Sequence, residues 1–128
     1  MKFSLEATNA NQIISYDDNQ VIISPEKQTY SIQLGSSLIV TPDQIISPAK
    51  ITDISKLSEE DISYLHTLEP EIIIFTAGPI IPRPKAEIIA RLAKKSIGVE
   101  SMTLGSACRT YNLLALEDRR VMLVISLI

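Results

Sequence analysis

Two hydrophobic rhythms divide this chain. In the first half apolar and polar positions alternate: Tyr30, Ile32 and Leu34 are interleaved with Thr29, Ser31 and Gln33, the period of two of a half-exposed strand. Phe3 and Leu5 alternate in the same way, and Ile13-Ile14 lead into the acidic turn Asp17-Asp18-Asn19, from which Val21-Ile22-Ile23 emerges. That turn lacks the regular oxygen spacing and the glycine of a calcium loop, so it reads as a solvated hairpin tip. Ser24-Pro25 makes a further turn. Gly35-Ser36 then directs the chain into Ser37-Leu38-Ile39-Val40, which Pro42 ends. The pattern predicts an antiparallel meander. Residues 42–56, with prolines at 42 and 48, read as a connection carrying one short extended piece at Ile45-Ile46.

Helical signals follow. Ser58 suits an N-cap, Glu59, Glu60 and Asp61 suit the positive end of the helix behind it, and Leu57 can staple onto Ile62. From Pro70 onward the elements alternate. Ile72-Ile73-Ile74-Phe75 is a continuous apolar run of the kind buried on both faces, broken by Thr76-Ala77-Gly78-Pro79. A helix starting at Pro84, with Ile88, Ile89, Leu92 and Ala93 on one stripe, is predicted to reach about Lys95. Gly98 separates it from a strand at Val99 to Met102. A helix over 104–116 and a strand over 121–127 complete a β-α-β-α-β series, which implies a central sheet with helices packed on it.

Composition narrows the class. A chain of 128 residues is one domain, 1–128, large enough to bury a core without cross-links. There is no Trp, so Ile and Leu must supply most of the packing. The net charge of −3 argues against a nucleic-acid partner, and the apolar runs are too short to span a bilayer. The single cysteine excludes an internal disulfide and points to a reducing compartment. With neither a secretory h-region nor an Arg-rich amphipath at Met1-Lys2-Phe3-Ser4, the expected location is cytoplasmic. His66 and Cys108 are each the only residue of their type and fall in different elements, so no metal site is expected, and no cofactor either.

Candidate chemistry gathers where two strand ends would meet. In open α/β sheets ligands settle outside the carboxyl ends of the strands, here at the loops 76–83 and 103–109. If the two strands are neighbours, Thr76, Gly78, Arg83, Ser106 and Arg109 would border one crevice, with the amides of helix 104–116 behind them. A cation as early in that helix as Arg109 opposes the dipole slightly, which calls for a negative partner: Glu100, another carboxylate or a bound anion. A structural ion pair is the plainer of these. Thr76-Ala77-Gly78 is only a stub of a Gly-rich phosphate loop.

Cys108 shares a helical face with Leu104, Ala107, Tyr111, Leu114 and Ala115, so it reads as core, and no histidine is near in sequence to act as its base. No catalytic set is assigned. Leu113 and Leu116 project from the other face, where they are either covered by the meander or form an apolar patch for a partner.

The stretch Ile97-Gly98-Val99-Glu100, Met102, Ala107-Cys108-Arg109-Thr110-Tyr111-Asn112, Glu117 and Arg120-Val121 resembles a family of small domains of unknown biochemical function. That family includes mitochondrial complex I assembly factor three, the adipogenesis-associated domain proteins and many bacterial homologues. The likeness is specific from Ile97 to Val121 and loose elsewhere. It implies a three-layer α/β fold with a central mixed sheet. It also implies a protein partner, since the mitochondrial members serve respiratory-complex assembly. It brings no catalytic residues. Thr103-Leu104 stands where the family usually has Asp-Thr, and Phe75-Thr76-Ala77-Gly78 where it often has Gly-Thr-Gly, so any pocket shaped by those residues is altered here.

The sequence therefore points first to a non-catalytic interaction or assembly module, with Leu113 and Leu116 as the contact surface. The second choice is a small-anion-binding or enzymatic site at the crevice between the 76–83 and 103–109 loops. A homo-oligomer is compatible with either, and the chain resembles the bacterial branch more than the mitochondrial one.

Overall fold

The strands Gln12–Asp17 (β1) and Gln20–Ser24 (β2) form an antiparallel hairpin, and Ile32–Leu34 (β3) pairs with β2 to complete a three-stranded sheet. This is the computed structural model of the chain, and it describes residues 9–127; the alternation at Phe3 and Leu5 lies outside the described residues. Asp17 pairs with Gln20, so Asp18-Asn19 is the solvated hairpin tip that the sequence predicts. The register of β1 shifts between Ile13 and Ser15. Ile13 is buried and Ile14 is turned out toward solvent, as consecutive residues of a strand are, and Ile14 is the residue that the shift leaves without a cross-strand partner.

The meander ends sooner than the alternation suggests. Leu38–Val40 (β4) does not continue it but joins a second, five-stranded sheet with Ile45–Ile46 (β5), Ile72–Thr76 (β6), Gly98–Ser101 (β7) and Val121–Ile125 (β8). The order is β5-β4-β8-β6-β7. β4 runs antiparallel to β8, whereas β6 lies parallel to both β7 and β8, so the central sheet is mixed. The physical reason for β4's departure is in its composition. Leu38, Ile39 and Val40 are all buried, which needs cover on both faces, and the small sheet cannot give that.

Alternate residues of the central strands feed two cores. Leu38, Val40, Ile74, Val121, Leu123 and Ile125 face the helix Leu104–Leu116 (α3) and the small sheet. Ile39, Ile73, Phe75, Met122 and Val124 face the helices Glu59–Thr67 (α1) and Ala86–Lys94 (α2). Each fully buried side chain of this kind contributes about 1.5–3 kcal/mol. The layers are α1 and α2, the mixed sheet, and then α3 with the small sheet.

α1 carries the predicted cap: Ser58 Oγ accepts from the Asp61 amide at 3.2 Å, and Asp61 Oδ2 accepts from the Ser58 amide at 2.9 Å. α2 begins at Ala86, two residues later than Pro84 suggests. The run Pro82-Arg83-Pro84 holds the chain extended, because a residue before proline is pushed out of the helical region, and Lys85 becomes the N-cap. All three helices end on a non-glycine residue in the left-handed region, Glu69 (φ 56°), Ser96 (φ 63°) and Asp118 (φ 58°).

Candidate functional site

The residues of the specific stretch separate into three groups on α3. The first locks the helix to the small sheet. Asn112 Oδ1 accepts from the Ile13 amide at 2.8 Å, and its Nδ2 donates to the Ile13 carbonyl at 2.8 Å. One residue earlier, on the core side of the helix, the fully buried Tyr111 donates its hydroxyl to the Asn11 carbonyl at 2.9 Å. Burial pushes the Tyr111 phenol above its ordinary range, and the charges of Asp43 and Glu26 push it the same way. Asn11 is itself saturated: its Nδ2 donates to the Thr41 and Gln44 carbonyls at 2.8 and 3.1 Å, and its Oδ1 accepts from the Glu26 amide at 2.8 Å. Nothing in the alternation pattern marks Asn11, because the partners of its side chain lie 15 to 33 positions away and Tyr111 lies 100 away.

The second group is at the start of α3. β6 and β7 are neighbours, so the two predicted loops do meet, and their meeting uses up backbone: the Leu104 amide donates to the Gly78 carbonyl at 2.9 Å. Gly78 adopts φ +73°, a conformation that favours glycine. Arg109 donates to Ser106 Oγ at 3.4 Å and to Tyr16 Oη at 3.5 Å, both long contacts. Among the described residues no carboxylate, Glu100 included, lies within salt-bridge distance of Arg109. The Thr76 hydroxyl is buried with no hydrogen-bond partner in the described structure. Arg83 is exposed and makes no polar contact with Ser106 or Arg109. Ser106 and Arg109 are thus brought together, while Arg83 stands apart from them. Gly105 sits beneath: a Cβ there would come within 2.5 Å of Tyr16 Oη.

Cys108 is buried beside this group, and burial pushes its thiol up to about 12, with Arg109 opposing only in part. It packs with Ala107 and Tyr111 in the core, as its helical position predicts. Thr110 is half-buried, and Gly98 opens β7 with its amide on the Glu71 carbonyl at 3.0 Å.

The third group is the outward face. Leu113 and Leu116 are 60% and 61% exposed, so the small sheet does not cover them. The described structure also contains a hollow of about 530 Å³ at the other end of α3, away from the predicted crevice. Its charged rim is Glu26, Asp43, Glu69, Asp118, Arg119 and Arg120. Arg119 is engaged by Glu71 at 2.8 Å, which holds the Glu71 carboxyl below its usual range, and Arg120 donates to the Glu69 and Leu68 carbonyls. Four separate loops build this rim, so no local motif announces it. Among the described residues no group of three or more metal-binding side chains comes together.

An α/β domain with a mixed five-stranded sheet, a small antiparallel sheet and a tyrosine-asparagine lock on its last helix is a recognisable assembly. The chain belongs to the family described as protein of unknown function (DUF498/DUF598), whose pattern matches residues 13–126. It is similar to the "13 kDa major membrane protein" of Francisella tularensis subsp. holarctica, 35% identical over 89 residues that make up 69% of this chain and 72% of the relative. It is also similar to the zebrafish "NADH dehydrogenase [ubiquinone] 1 alpha subcomplex assembly factor 3", 29% identical over 67% of this chain. The matched stretch spans about half, 53%, of that assembly factor's length. The fold matches a Xanthomonas campestris protein solved by NMR with a TM-score of 0.77 and 26% identity, covering 91% of this chain and 84% of the other. The resemblance drawn from Ile97 to Val121 therefore holds. No helix of the described residues is long and apolar enough to cross a membrane.

Proposed function

We propose that this chain is a non-catalytic protein-interaction domain of the assembly-factor kind, with the outward face of α3 as its contact surface. The observation that carries the reading is the exposure of Leu113 and Leu116 on a helix whose neighbouring residues are tied down, Tyr111 to the Asn11 carbonyl and Asn112 to Ile13 of β1. Two leucines held on a fixed helix can anchor a partner with little ordering cost. The zebrafish relative, named as an assembly factor, supports the same reading. A single cysteine, which can form no internal disulfide, favours a reducing compartment such as the cytoplasm for the encounter.

The test compares wild-type protein with Leu113→Asp/Leu116→Asp as immobilised baits in extracts of the source cells, with captured proteins quantified by mass spectrometry. The expected result is a defined set of binders lost from the double variant while its unfolding midpoint is unchanged. Light scattering on both proteins identifies a second copy of the chain as the partner if only the wild type is oligomeric. Equal capture and equal mass for the two baits would end the proposal.

A second reading places a small-anion site at Thr76, Gly78, Arg83, Ser106 and Arg109. It is supported by an arginine with only hydroxyl partners among the described residues and by the unpartnered hydroxyl of Thr76.

A further inference from the structure

The acidic chain keeps much of its positive charge in one place. Between Pro79 and Ser96 lie five basic residues, Arg83, Lys85, Arg91, Lys94 and Lys95, against the single acid Glu87, although the formal net charge of the whole is −3. Among the described residues only Arg91 of the five is in an ion pair, with Glu59 across the gap to α1. The same segment holds the most exposed large apolar side chain of the described structure, Ile80 at 72%, with its chain neighbour Ile81 also exposed, at 45%.

Local geometry turns these residues outward together. Gly78 and Pro79 make a tight turn closed by the bridge between Ala77 and Ile80, which projects the isoleucine. The chain beyond is extended, and its burial alternates: Pro82 and Pro84 point inward, while Ile81, Arg83 and Lys85 point out. α2 continues the pattern at helical period. Ile88 and Leu92 enter the core, which leaves Ala86, Ala90, Ala93 and Lys94 on the opposite side, with Ile89 exposed at its flank. The result is a face with apolar tips and small residues at its centre, with Arg83 and Lys85 at its start and Lys94 and Lys95 at its far end beside Glu59 and Arg91; none of these four has an acid within salt-bridge distance among the described residues.

We infer that this face, the β6–α2 loop with the outward side of α2, docks the protein on an anionic lipid bilayer. Cations answer the negative surface potential, while Ile80 and Ile81 reach the boundary between headgroups and acyl chains. Nucleic acid would match the charge but has no use for two projecting isoleucines. The surface is separate from Leu113 and Leu116, so a domain held in this way keeps α3 available to a protein.

The chain has no tryptophan, so Ile80→Trp installs a single fluorescent probe at the turn. The probes are vesicles of equimolar phosphatidylcholine and phosphatidylglycerol, vesicles of phosphatidylcholine alone, and polyglutamate. The expected result is a blue shift of Ile80→Trp emission with the anionic vesicles only, weakening as salt rises. In co-sedimentation, Lys94→Gln/Lys95→Gln should lower the partition coefficient roughly 30-fold, and Ile80→Asp/Ile81→Asp at least about tenfold. Lys27→Gln, in the small-sheet layer, should stay within about twofold of wild type, because a bilayer against α2 does not reach it. The proposal is overturned if the anionic vesicles cause no shift, if Lys27→Gln weakens binding as much as Lys94→Gln/Lys95→Gln, or if polyglutamate binds as tightly as the vesicles. The last outcome would identify an acidic protein as the partner instead.

Discussion

Asn112 grips Ile13 by both of its backbone groups, accepting from the amide and donating to the carbonyl at 2.8 Å each. A side-chain amide thus takes the place of a neighbouring strand for one residue of β1. Ile13 lies on the edge of the small sheet, and without Asn112 its polar groups would be left partly buried and unpaired. The lock makes α3 and the small sheet one layer, with Leu113 beside the point of attachment.

Asn112→Ala should therefore destabilise the fold by about 2–3 kcal/mol, the cost of stranding a donor and an acceptor together. Asn112→Asp should be no better, since it keeps an acceptor but turns a carboxylate toward the Ile13 carbonyl. Denaturant unfolding measures the loss, and hydrogen exchange at the Ile13 amide should accelerate well beyond the global change. Protection equal to wild type would show that β1 is held by other contacts.

Cys108 should be silent in the native protein. With its thiol pushed up to about 12 by burial, it should react with an aromatic disulfide reagent at neutral pH only after denaturation. The same shift sets a pH dependence. The folded value lies above the ordinary 9.0, so the neutral thiol favours folding. Its contribution is complete below pH 9 and is lost as pH rises toward 12. Cys108→Ala should flatten the decline in stability between pH 9 and 10, before phenols ionise. Rapid labelling of folded protein would contradict the burial.

The helix ends offer a gain. Ser96 terminates α2 at φ 63° and has an exposed side chain with no polar contact among the described residues. Ser96→Gly should raise stability by about 0.5–1 kcal/mol, the relief of left-handed strain less the added freedom of the unfolded chain. Asp118→Gly, at φ 58°, should gain less, because aspartate tolerates that region better. Thermal unfolding of the two variants orders them.

The start of α3 can be tested against anions. If Arg109 and Ser106 hold one, phosphate or a small carboxylate should raise the unfolding midpoint of wild type and have no such effect on Arg109→Ala. Equal shifts in the two proteins would leave Arg109 with only its hydroxyl contacts.

Much of this architecture was legible wherever the signal was local. The N-cap at Ser58, the bounds of α3, the inward stripe through Cys108 and the parallel series from β6 onward all follow from spacing within a few residues. What sequence concealed was long-range. β4 follows directly on the meander in sequence, but its three consecutive buried side chains need the two-sided cover of the central sheet, and which sheet supplies it is settled only by pairing with β8, more than 80 positions away. Arg109 invited a carboxylate and meets Tyr16 instead, 93 positions away, across a gap that only Gly105 leaves open. The hollow beside Glu26, Asp43 and Asp118 has no local pattern because its walls come from loops that meet only in the folded chain.

β8 is the strand that stitches the central sheet, flanked by β4 on one side and β6 on the other. A ribosome-bound fragment lacking Val121–Ile125 could assemble β4 with β5 and β6 with β7, but nothing would bridge the two pairs. Biogenesis should then be late and abrupt: protease resistance should arise only once that segment has cleared the exit tunnel, and nascent chains stalled earlier should remain digestible.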